Sequence, residues 1–114
     1  MKKEWKFTFR ILIRKEDDLW MAHCLELDLV TESPSLDEVE RDIVAIIKRQ
    51  VSYCIANDNM ENLFRSAPKE VWDEFNACKE KKKPRNQEFI ARKRPIPVSF
   101  VTNNCFSNQT ACHA

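Results

Sequence analysis

The chain has 114 residues, 43% apolar and 32% charged, with a net charge of +1. That composition describes one soluble globular domain, and its apolar runs are far shorter than the roughly 20 residues that span a bilayer. The complete absence of Gly excludes the Gly-rich phosphate loops of P-loop and dinucleotide-binding proteins, and leaves every turn to Asp, Asn, Pro or Ser.

Trp5, Phe7, Phe9, Ile11 and Ile13 alternate with Lys6, Thr8, Arg10 and Arg14. This period of two predicts a strand with one buried and one wet face. Residues 15–18 (KEDD) are a polar turn, and 19–26 (LWMAHCLE) a second strand hairpinned to the first. Residues 27–31 (LDLVT) read as a third strand, after a bend near Asp28, and 32–35 (ESPS) close the sheet. Ser35 and Glu38 then fit a capping box, in which the hydroxyl and the carboxylate each satisfy a free backbone N–H. Asp37 and Glu38 suit the positive end of the helix dipole. Leu36, Val39, Ile43, Ile46, Ile47, Gln50, Val51 and Cys54 recur at helical spacing. They predict a helix of about 20 residues that covers the apolar sheet face.

Residues 57–67 form a loop, and a shorter helix is predicted over 68–79, with Pro68 in its first turn and Val71, Trp72, Phe75 and Cys78 as its apolar stripe. Ile96, Val98 and Phe100 alternate as a late strand, which Pro95 and Pro97 confine to a sheet edge or an exposed arm. Such an edge is a route to dimers by strand addition. The predicted fold class is thus α+β: a three-stranded antiparallel sheet covered by one long helix, plus a short helix and a late edge strand. The predicted organisation is a core over 1–78, a basic linker over 79–94, a strand or arm over 95–102 and a frayed tail over 103–114.

Five cysteines are an odd number, no C-x-x-C pair exists, and the basic N-terminus lacks the apolar stretch of a signal peptide. These features predict free thiols and a cytoplasmic protein. Charge is unevenly spread: residues 79–94 (KEKKKPRNQEFIARKR) carry +6 and the remainder −5. The run offers Lys81, Lys82, Lys83, Arg85, Arg92, Lys93 and Arg94 as candidate phosphate contacts. Phe89 is its lone aromatic, thin support for base stacking, so a solvated basic linker is the stronger reading.

The order of elements and the stretch WMAHCLELDLVTESPSLDEVERDI (residues 20–43) resemble the HicB-like antitoxin family. The matching positions are Ala22, His23, Cys24, Leu25, Glu26, Leu27, Asp28, Ser35, Leu36, Glu38 and Val39, within a resemblance covering residues 5–56. The resemblance implies a truncated RNase H-like fold and a non-enzymatic protein that neutralises a small toxin ribonuclease. Many members also repress their own operon through a C-terminal DNA-binding module, and no such module is visible after residue 79. Ser33-Pro34 stands where the family has a Gly.

The same stretch contains residue types that carry chemistry. A Cys–His nucleophilic pair needs its side chains within about 3 Å, yet His23 and Cys24 are consecutive on a strand and point to opposite faces. RNase H chemistry needs carboxylates converging on two metal ions about 4 Å apart. Glu26 and Asp28 share a strand face, but the first strand supplies no Asp. No catalytic residue, metal or cofactor is expected. Trp20, His23, Glu26 and Asp28 remain as candidate partner contacts. If Trp20 is exposed it marks a partner surface; if a second layer covers it, it is core. The expected partners are the toxin ribonuclease, further copies of the chain and, in the alternative reading, DNA.

Overall fold

The computed structural model describes residues 4–91, 93 and 95–107. Its elements are β1 (Trp5–Glu16), β2 (Leu19–Cys24), β3 (Leu29–Ser33), α1 (Leu36–Ala56), α2 (Lys69–Ala77), β4 (Glu80–Lys81), β5 (Arg85–Ile90) and β6 (Pro97–Ser107), with a 3-10 turn at Met60–Asn62. The sheet runs β3-β2-β1-β6-β4, and β5 also pairs with β6. β6 lies parallel to β1, from Trp5 opposite Val98 to Arg14 opposite Ser107.

The hairpin, the third strand and the long helix stand in the predicted order. The three-stranded sheet does not: among the described residues the sheet has six strands. Three expectations for the C-terminal third are corrected together. The late strand is central, flanked by β1 and by β4 and β5. The basic linker over 79–94 folds into β4 and β5, and residues 103–107 of the expected tail belong to β6. Pro97 is tolerated because it opens the strand. The apolar alternation ends at Phe100, but the strand continues through Thr102 and Asn104, both buried. Asn104 Nδ2 donates to Glu40 Oε2 of α1 at 2.9 Å, so the strand continues on buried polar side chains, one of them bonded to the helix.

Local signals set the element boundaries. Ser35 is extended (φ −126°, ψ 153°) and its Oγ accepts the Glu38 N–H at 3.1 Å. Replacing Ser35 by Ala is expected to cost about 1 kcal/mol of unfolding free energy, read from the shift of a urea unfolding midpoint. Ser33 Oγ donates to Asp42 Oδ2 at 2.6 Å and ties β3 to α1. Among the described residues three adopt the left-handed conformation, Asp17 (φ 54°), Asp28 (φ 52°) and Asp58 (φ 52°). All are Asp, which accepts this region better than other side chains do. They stand in the β1–β2 turn, before β3 and after α1, where Gly commonly serves.

The core has two layers of unequal size. On the first face Phe9, Ile11, Ile13, Ala22, Cys24, Val98 and Phe100 pack with Val39, Ile43, Ile47 and Val51 of α1, all at most 2% exposed. The second face was expected to be wet. Instead, Leu12, Leu25, Ala67, Phe75 and Cys105 form a second buried cluster, against which Val71, Trp72 and Cys78 pack. α2 is therefore a lid on the far side of the sheet. Cys78, its C-terminal cap, is disulfide-bonded to Cys105 of β6 across a Cα separation of 6.4 Å. Only Cys24 and Cys54 are free thiols among the described residues, which corrects the expectation of free thiols for Cys78 and Cys105. Cys112 and the rest of the expected tail lie outside the described residues.

Candidate interaction surfaces

The motif residues are engaged within the chain. β2 ends at Cys24, and residues 25–28 form a turn rather than more strand, so the shared strand face expected of Glu26 and Asp28 is absent. Glu26 turns back to β1: Oε1 accepts the Arg10 backbone N–H at 2.7 Å and Oε2 accepts Arg10 Nη1 at 2.6 Å. Asp28 turns toward β2, where its Oδ1 lies 2.7 Å from His23 Nε2. His23 is 7% exposed and lies opposite Leu12 on the second face. Cys24 points the other way, into the core under α1. The carboxylates thus diverge, one closing the end of the β1–β2 ladder and one holding a buried imidazole.

Burial pushes the Cys24 thiol from 9.0 up to about 12, through desolvation first, with the Glu26 charge adding to it. A thiol held neutral is no nucleophile at physiological pH. Between these values the unfolded chain releases this proton and the folded chain retains it. The native state therefore loses stability as pH rises through the window, by about 1 kcal/mol per pH unit from this group. Urea unfolding at pH 9 and pH 10 should show a smaller drop for Cys24→Ala than for the natural chain.

Trp20 shares a face with Ala22 and Cys24 and is half-buried against the α1-side core, with Lys15 Nζ 5.7 Å from its ring centroid. Of the two alternatives, the structure favours core. Trp72 and Phe75 are held on the second face: Arg10 stacks 5.5 Å from the Trp72 ring, and Trp72 Nε1 donates to Ser66 Oγ at 2.8 Å. Arg14 joins Glu74 of α2 at 3.2 Å.

The basic run does not form one stripe. Lys81 is opposite Cys105, on the second face, with Nζ 5.5 Å over the Phe75 ring. Lys82 Nζ sits 4.7 Å from the ring of Phe106. Lys83 and Lys93 are exposed. Arg85 meets Arg41 and Lys48 of α1 along a groove of about 660 Å³, whose walls also carry Asp37, Glu40 and Gln87. That cluster joins two elements far apart in sequence and could not be found from the run alone. Arg92 and Arg94 lie outside the described residues.

A groove of about 940 Å³ follows the outer end of the sheet, where Lys6, Thr8, Glu88, Ile90, Ser99 and Val101 line it. Among the described residues no group of three or more His, Cys, Asp or Glu side chains is placed to hold a metal ion, and no helix is long and apolar enough to cross a membrane. The chain matches no known family description, curated protein or solved structure.

Proposed function

We propose that the chain is a non-enzymatic interaction domain of the HicB-like kind, which binds and neutralises a small toxin ribonuclease. One observation carries this reading: a β-hairpin, a third strand and one helix pack together over the residues of the resemblance, and the motif's His, Cys and carboxylates each have a structural partner. In this reading Trp20, His23, Glu26 and Asp28 hold the binding surface in shape. The exposed acids Glu32, Asp37 and Glu38, at the junction of β3 and α1, steer a basic partner toward it.

The reading places the chain in the cytoplasm, where thiol buffers favour a dithiol. Cys78 and Cys105 would then meet the partner as neighbouring thiols. Binding assays accordingly belong in reducing buffer.

The test is to look for a small basic protein encoded in an adjacent reading frame and to co-express it with the chain. A complex that survives purification, with the partner's ribonuclease activity suppressed in it, is the expected result. Glu32→Lys with Asp37→Lys should slow association without unfolding the chain. Failure to recover any complex, with both proteins folded, sinks the reading.

The second reading, a nucleic-acid-binding regulator, is favoured by the Arg41, Lys48 and Arg85 cluster. Its mark is an affinity that falls steeply with salt and a slope that flattens in Arg85→Ala. Absence of binding at low salt removes it.

A further inference from the structure

The sequence offers the late strand as a route to self-association, and the structure closes it. β6 is flanked by β1 on one side and by β4 and β5 on the other. The outer half of β1 is different. β2 accompanies β1 only as far as the Ile11–Cys24 pair. At Arg10 the ladder is terminated, with the N–H taken by the Glu26 carboxylate and the C=O by the Leu25 N–H at 2.9 Å. Arg10 therefore directs its backbone groups away from β6, and strand alternation gives Lys6 and Thr8 the same direction. No strand of the described residues pairs with them on that side. Lys6 and Thr8 are exposed. Their N–H and C=O groups form an open edge, on a segment of aromatic and β-forming residues that is prone to pairing.

We infer that this edge pairs with the same edge of a second copy, antiparallel, about a two-fold axis at Phe7. The choice of occupant follows from the order of side chains. Centring the axis on Phe7 sets Lys6 against Thr8 of the copy, inside the stretch that ends where Leu25 and Glu26 close the edge at Arg10. Centring it on Lys6 sets like charges face to face, which costs stability. On the other face the same register brings the half-buried Phe7 against Phe7 of the copy, Phe9 being fully buried within its own chain. It extends a row of rings that is already stacked within one chain: Trp5–Phe7 at 6.0 Å and Phe7–Phe9 at 5.5 Å between centroids. Phe64, 53% exposed and 5.9 Å from the Phe7 ring, flanks this row. Two sheets then join into one, with backbone hydrogen bonds exchanged in both directions between Lys6 and Thr8. This dimer stands independently of the ribonuclease and nucleic-acid readings.

The experiment is light scattering coupled to size exclusion over a dilution series of the full chain. The natural chain should run at twice the chain mass. Thr8→Pro removes an outward N–H and leaves the β1–β6 ladder untouched; a folded monomer is expected. Thr8→Lys places Lys opposite Lys twice across the axis and should weaken the dimer about tenfold. Adding Lys6→Glu to Thr8→Lys converts both clashes into Glu–Lys pairs and should restore it. Circular dichroism confirms that each variant is folded. A natural chain that stays monomeric at high micromolar concentration overturns the inference. So does a dimer that folded Thr8→Pro leaves intact, or a charge-swapped pair that remains as weak as Thr8→Lys alone.

Discussion

Reducing the Cys78–Cys105 disulfide is expected to lower the unfolding free energy by about 3–4 kcal/mol. The bridge closes a loop with a sequence separation of 27, and the unfolded chain gains that loop's conformational freedom once the bond is cut. The folded state has little to offset the loss. α2 has nine residues, too few to be stable alone. Phe75, the Arg14–Glu74 pair and the Trp72–Ser66 hydrogen bond are the contacts that dock it. Urea unfolding with and without a dithiol reductant measures the effect, and Cys78→Ser should reproduce the reduced value without reductant. A midpoint that reductant leaves unmoved would show that the bridge adds nothing to the docking of α2. The result also bears on the cytoplasmic reading, because the reduced form is the one a toxin would encounter there.

Leu12→Ala is expected to cost about 2–4 kcal/mol, as truncation of a large buried aliphatic does. Leu12 lies in the row of β1 otherwise formed by Lys6, Thr8, Arg10 and Arg14, and on a wet face its loss would move stability by no more than about 0.5 kcal/mol. It is 1% exposed, beneath Leu25, Phe75 and Cys105. Leu12→Lys should be worse still, because it buries an unpaired ammonium beside the disulfide. Chemical denaturation of both variants decides between a one-faced and a two-faced sheet. A near-neutral Leu12→Ala would mean that α2 is not a structural layer.

Leu12 also carries a signal legible in the residues themselves. It breaks the polar row of β1, and Val71, Trp72, Phe75 and Cys78 form an apolar stripe with no announced counterpart. Together they signalled a second layer. The pairing of Glu26 with Arg10 and of His23 with Asp28 left no such trace. Their spacing of two gives Glu26 and Asp28 one face of an extended chain, whereas the turn at 25–28 sends them in opposite directions. The left-handed Asp28 is what makes that turn possible in a chain without Gly.

The sequence by itself determined the local elements: the β1–β2 hairpin, the capped helix that follows the third strand, the buried stripe of α1 and the Asp residues at its left-handed corners. These depend on periodicity and on hydrogen bonds between near neighbours, so a short window holds the whole cause. Only the tertiary structure decided where β6 goes, which faces are covered, that Cys78 meets Cys105 and that the outer edge of β1 stays open. Each of these joins segments separated by tens of residues. Their free energy comes from burial between distant parts of the chain, and no local pattern encodes which distant part that is.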